Sequence, residues 1–255
     1  MNSVLLAFAM FSRIPVPNVA WNEKNMRYLL AAFPLVGVAV GAALLAWDWL
    51  CASLALGGLL RGAGFVLLPL LITGGIHMDG FCDTVDALAS HGDVEKKRRI
   101  LKDPHIGSFA AIAACAYIVV FSALGAEAAF SFREMLCFSL TFMLSRSMAG
   151  LAVILFPCSP ESGLGRSFQS AAHKRSVLAV LLAVIAGLGL AMTLLGGVAG
   201  VVAFGGTILL LGWCRRVAAV HFGGMGGDLS GWLLQMCEIL SLAALVLVPR
   251  IVDKL

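Results

Sequence analysis

The feature that most narrows the fold is a succession of long apolar segments with hardly a charge in them, over residues 28–50, 59–76, 107–126, 135–156, 177–196, 198–214 and 232–248. A helix advances about 1.5 Å per residue and needs about 20 apolar residues to cross the hydrocarbon core, so each segment is a candidate span. Arg61 and Pro69 interrupt the second, and the sixth is short, so their ends are the least defined. The apolar start, 4–11, is too short to cross and is expected to lie at the interface or to re-enter. Only 13% of the 255 residues are charged, and mean hydropathy is +0.97. Soluble domains carry about 25% charged residues. A disordered chain, a secreted disulfide scaffold and a conventional nucleic-acid binder are thereby excluded. The expectation is an all-α, polytopic membrane bundle of about seven transmembrane helices, forming one domain over residues 1–255.

Charge placement sets the orientation. With seven spans, 13 of the 18 basic residues fall on one side: Arg13, Lys24 and Arg27, the loop from Lys96 to Lys102, Arg166, Lys174 and Arg175, and Arg215 and Arg216. The positive-inside rule places that side in the cytoplasm. The other side receives Arg133, Arg250 and Lys254, with Arg61 near it. The start lacks the charged region and cleavage site of a signal peptide, so the first spans are expected to direct insertion. Seven cysteines form no Cys-x-x-Cys pair and read as reduced, packed thiols. Nearly every Asp, His and glycine cluster lies on the basic side, which favours an enzyme with cytoplasmic substrates over a transporter with polar groups at mid-membrane.

The run TGGIHMDGFCDTVDAL, 73–88, is the most informative. Asp79, Asp83 and Asp86 are spaced i, i+4 and i+7 and share one stripe of a helix. Three like charges in a stripe need a compensating cation, and hard carboxylate oxygens suit Mg²⁺ or Mn²⁺ shared with substrate phosphates. The plainer alternative, a solvated face paired with lysines, fits poorly with Gly74, Gly75 and Gly80 and with a neighbouring span. His77 has three open roles: ligand, neighbour of ligands, or helix cap. Downstream, EKKRRILKDPHIGSF (95–109) carries Lys96, Lys97 and Arg98, assigned to topology and lipid headgroups. Lys102, Asp103 and His105 stand beside Pro104 in a turn that must fold back toward the acids, where a lysine neutralises phosphate charge.

Three further features adjoin apolar segments. Arg146 lies inside the fourth span, where it needs a polar cavity or a partner. The segment 161–168 combines glycines with Arg166, and 221–232 puts Asp228 beside four glycines that permit either a close ligand approach or a tight membrane turn. Glu238 follows within the seventh span, near Gln235.

Taken together, TGGIHMDGFCDTVDAL, FSRIPVP, FPLVGVAVGA, LKDPHIGSF, LSRSMAG, GLGRSF and GGMGGD resemble, in order along nearly the whole chain, the adenosylcobinamide-GDP ribazoletransferase family, also called cobalamin or cobalamin-5'-phosphate synthases. Cys82 and Ala87 stand where the family more often has small residues. Gly226-Gly227-Asp228 replaces a usual Thr-Gly-Asp, and an arginine is common near His221. The resemblance implies a Mg²⁺-dependent, multi-pass enzyme of the cell inner membrane, its active site facing the cytoplasm. It would join adenosylcobinamide-GDP to α-ribazole or α-ribazole 5'-phosphate and release GMP. It also implies that Asp79, Asp83 and Asp86 hold the metal, that Asp83 or Asp86 accepts the hydroxyl proton, and that Lys102 and Arg146 supply positive charge. Lys102, Asp103, His105, Arg146, Arg166 and Asp228 are the expected substrate-binding residues. Membrane lipid is a partner, nucleic acid is not, and self-association is left open. A CDP-alcohol phosphotransferase is the nearest alternative chemistry, but its Ala-Arg pair and longer spacer are absent. A small cation-coupled transporter would show mirrored halves, and no internal repeat is present. A non-catalytic scaffold would tolerate loss of the aspartates.

Overall fold

The computed structural model describes residues 2–254 apart from Glu161, and only the backbone of Leu164. Glu161 of the 161–168 segment therefore lies outside the described residues. The described chain is all helical: α1 (Asn2–Phe11), α2 (Glu23–Met26), α3 (Leu29–Ser53), α4 (Gly58–Thr73), α5 (Ile76–Ala89), α6 (Val94–Ile100), α7 (Ser108–Glu127), α8 (Phe132–Leu155), α9 (Gly163–Ala171), α10 (Lys174–Phe222) and α11 (Gly227–Val252).

Five of these, α3, α7, α8, α10 and α11, are long and apolar enough to cross a bilayer. Two departures from unbroken spans complete the architecture. The expected fifth and sixth spans are two helical legs, numbered together as α10, that join at Gly197, where φ 54° and ψ −133° are open to glycine and strained for other residues. The chain doubles back there. A Cβ on Gly200 would overlap the Met192 carbonyl, and one on Gly189 would lie 2.7 Å from the Phe204 ring. In a straight helix, residues eight apart are separated by about 12 Å along the axis. The second expected span ends early, at Thr73, and α5 leaves α4 at 100°. Taken together, α4 and α5 are long and apolar enough to make a sixth, bent span.

Helix α8 is the axis of the bundle, with Phe138, Phe142, Leu144 and Met148 fully buried. Lipid is as apolar as these side chains, so close backbone approach and van der Waals contact hold such helices together. Gly37 and Gly41 of α3 provide it against α8: side chains there would strike the carbonyls of Phe142 and Ser139. Gly58 and Gly62 of α4 do the same against Ala126 and Ser122 of α7.

The two ends of the bundle differ. At the end holding the α3–α4 and α7–α8 connections, charges are matched internally. Arg61 donates to Asp48 Oδ1 (Nε, 2.6 Å) and to the Ala128 carbonyl, and Arg250 pairs with Glu127 at 2.9 Å. The opposite end carries α1, α2, α5, α6 and α9. The first of these does not span; it lies against α3, with Leu6 and Ala7 buried.

Candidate active site

Consecutive glycines in left-handed conformation, Gly74 (φ 67°) and Gly75 (φ 80°), turn the chain out of α4 and start α5 across the end of the bundle. Their place in the acidic run is therefore a hinge. Helix α5 then packs on the first turns of α11 with almost no side chain between them. A Cβ at Gly80 would stand 2.8 Å from the Asp228 carbonyl oxygen, and one at Gly231 would stand 2.9 Å from that of His77. This approach brings Asp228 to the acidic stripe as a fourth carboxylate. Burial raises the Asp83 carboxyl to about 6, helped by the negative charges of Asp79, Asp228 and Asp86 in that order. Asp86 reaches the other way. Both its oxygens occupy the space a side chain on Gly107 would need, at the positive N-terminal end of α7.

The basic run is divided between two tasks. Lys97 and Arg98 do not extend to lipid headgroups as expected. Lys97 is buried with Nζ 2.9 Å from His221 Nδ1, and Arg98 Nε donates to the Phe222 carbonyl at 2.8 Å. Both cations thus close the negative C-terminal end of α10. Lys102 faces a cleft of about 350 Å³ shared with Arg98, Ser159, Ser162 and Asp228. The glycine loop that floors it is chiefly a tight turn. Gly223 ends α10 with φ 62°, and Gly224 lies so close to Cys158 and Ser159 that a side chain would collide with their backbone.

Asp103 and His105 form a small exposed turn, with Asp103 Oδ1 accepting from the His105 backbone N–H at 3.0 Å and lying 2.7 Å from its Nδ1. The backbone hydrogen bond, then the side-chain one, holds the Asp103 carboxyl below its usual range. This turn lines an open cleft of about 810 Å³ together with Asp79 and Asp83, as the sequence requires. A third, mostly apolar cavity of about 270 Å³ opens beside Asp79 and Asp228. Asp79 thus borders the open cleft and the apolar cavity, and Asp228 borders the apolar cavity and the cleft that Lys102 faces.

Two expected members stand apart. Arg146 is 1% exposed, and its guanidinium is bound by Glu238, by Ser145 Oγ at 3.0 Å and by the Phe142 carbonyl at 3.2 Å. An arginine in the apolar interior needs a counter-charge, and Glu238, not substrate, provides it. Arg166 is exposed on α9 and lines none of the three spaces. Among the described residues no three carboxylate, imidazole or thiol groups converge closely enough to cage one ion. The donor set nevertheless fits a hard divalent cation. The carboxylates are crowded enough to raise Asp83, and Mg²⁺ is commonly held by one or two carboxylates plus substrate phosphates. Sequence reasoning singled out His77 but missed the polar pair Ser159 and Ser162 and the rings of Phe11, Phe33 and Phe168 that surround His77; only the apolar start and the glycines nearby hinted at them.

The fold and this one-ended gathering of carboxylates and cations define a class, the all-α, multi-pass membrane bundle with an acidic catalytic cleft at one rim. Within it the chain belongs to the cobalamin-5-phosphate synthase family, whose pattern it matches over residues 3–246. It is 35% identical over 252 residues to an adenosylcobinamide-GDP ribazoletransferase of Lachnoclostridium phytofermentans, covering 99% of this chain and 96% of the relative. It is 30% identical to one of Clostridium botulinum, covering 94% of each chain, and 31% identical to one of Listeria monocytogenes, covering 97% and 98%. No solved structure matches it. The protein is an enzyme, a transferase of cobalamin biosynthesis.

Proposed function

We propose that the enzyme joins adenosylcobinamide-GDP to α-ribazole, or to α-ribazole 5'-phosphate, and releases GMP. The observation that carries this reading is the crowding of Asp79, Asp86 and Asp228 around Asp83 beside adjoining spaces, Asp79 bordering the open cleft and the apolar cavity, and Asp228 the apolar cavity and the cleft that Lys102 faces. A two-substrate transfer between anionic groups needs such adjoining spaces. In the reaction the ribazole hydroxyl attacks the phosphorus attached to cobinamide. The bond from that phosphorus to the bridging oxygen breaks, and the electron pair leaves on the phosphate of GMP. Asp83, in the open cleft and with a raised proton affinity, accepts the hydroxyl proton. Lys102 opposes the charge of the departing phosphate. Asp103 fixes the turn that presents His105 at the cleft wall.

Mg²⁺ belongs to the same reading: Asp79 and Asp83, on the open cleft, would hold it together with substrate phosphates, with Asp86 adding negative charge nearby, and it would supply neutralisation of the pyrophosphate charge. So does location in the cell inner membrane with the cleft toward the cytoplasm, because the cleft end is also the basic end.

The test is a membrane-fraction assay with adenosylcobinamide-GDP and α-ribazole, with and without Mg²⁺, following GMP and cobalamin by chromatography. Equal appearance of both products, only with metal, is expected. Folded protein that yields neither beside an active control enzyme overturns the reading.

A further inference from the structure

The apolar cavity of about 270 Å³ beside Asp79 and Asp228 is built from five helices besides α5. Phe11 of α1, Phe33 and Leu30 of α3, Val153 of α8 and Phe168 of α9 line it, together with His77 of α5. The rings form one cluster: Phe11 and Phe33 lie 4.2 Å apart by centroid, Phe33 and His77 5.6 Å, and Phe11 and Phe168 6.3 Å. His77 is buried, and its Nε2 has no hydrogen-bond partner. A buried polar atom left without a partner costs free energy, so it marks a place where a partner belongs.

Resting on the reaction proposed above, we infer that this cavity holds the heteroaromatic base of the acceptor nucleoside, with the pentose at its mouth. Three observations select that occupant. The volume is too small for a corrinoid, and it lies at the lower edge of ordinary small-molecule pockets, roughly 300 Å³. Guanine carries polar groups on most of its edges, and an apolar wall would leave them unpaired. A benzimidazole-type base instead offers an apolar benzo edge and a flat face for Phe11, Phe33 and Phe168. Its attached sugar would then project past Asp79, which lines both this cavity and the open cleft, and so deliver its hydroxyl to the cleft that holds Asp83. The short helices α1 and α9 thereby act as the cover of an acceptor subsite.

The experiment is steady-state kinetics on the full-length protein in detergent, varying each substrate in turn. Wild type is compared with Val153→Phe, which fills the cavity, and with a Phe11→Leu/Phe168→Leu double variant, which keeps the walls apolar but removes the rings. KM for α-ribazole is expected to rise at least tenfold in each, with KM for adenosylcobinamide-GDP within twofold of wild type. Val153→Phe should also shift preference at least fivefold toward a riboside whose benzimidazole lacks the two methyl groups. Unchanged KM for α-ribazole in both variants, or equal rises for both substrates with unaltered base preference, would overturn the assignment. Wild-type turnover tests the reaction separately. Without it the proposed reaction falls, and equilibrium binding of α-ribazole, at least tenfold weaker in Val153→Phe if the assignment holds and unchanged if it does not, decides the cavity alone.

Discussion

Asp83 stands between an open cleft and three other carboxylates, and its raised proton affinity follows from that crowding. Asp83→Asn is expected to lower kcat at least about 100-fold, the scale of a lost proton acceptor. An unchanged circular-dichroism spectrum would separate this from unfolding. The proton and Mg²⁺ compete for the same oxygens. Because the carboxyl titrates at about 6, it is mostly ionised at pH 7 and mostly protonated at pH 5, so the Mg²⁺ concentration for half-maximal rate should rise as pH falls through 6. Metal titrations at several pH values measure this. The stripe of Asp79, Asp83 and Asp86 was legible because it follows from helical spacing within one segment. The arrival of Asp228 was not, since it depends on Gly80 and Gly231 meeting across two helices. Arg146 was half legible: its need for a partner is evident, but Glu238 lies 92 residues away. Removing one member of a buried pair strands the other, so Glu238→Ala should cost about 3 kcal/mol in thermal or denaturant unfolding. A joint Arg146→Met/Glu238→Leu variant should recover much of that loss.

Among the elements, α10 shows how much a single residue decides. The sequence marks two adjoining apolar segments, and hydropathy alone does not say whether they continue or reverse. Gly197 reverses them, with a backbone conformation other residues adopt only under strain. Gly197→Ala should therefore lower stability by about 1–3 kcal/mol while leaving turnover per folded molecule near wild type, because the turn is at the end away from the carboxylates. A melting curve paired with active-site titration checks both halves. The hinge at Gly74 and Gly75 escaped sequence reasoning for a related reason. Two glycines after an apolar run signal a break, but the 100° turn comes from consecutive positive φ values that composition does not encode. The four-residue spacings Gly37–Gly41 and Gly58–Gly62 went unread in the sequence, and the structure uses both for close helix contact.

For the whole molecule, the asymmetry of charge is the organising fact. One end pairs Arg61 with Asp48 and Arg250 with Glu127, while the other collects carboxylates and cations around open clefts. If the cleft end faces the cytoplasm, a cysteine introduced at His91 in a thiol-free background should resist a membrane-impermeant maleimide added to intact cells, whereas one at Ala55 should react. The opposite pattern would invert the topology. The one-glycine turn of α10 bears, finally, on how such a chain enters a bilayer. Between its two legs there is no hydrophilic loop to carry across, so residues 174–222 can partition into lipid as a ready-made pair, each leg shielding part of the other. Lengthening that turn with polar residues would add a translocation barrier at the point where biogenesis of this protein now meets none.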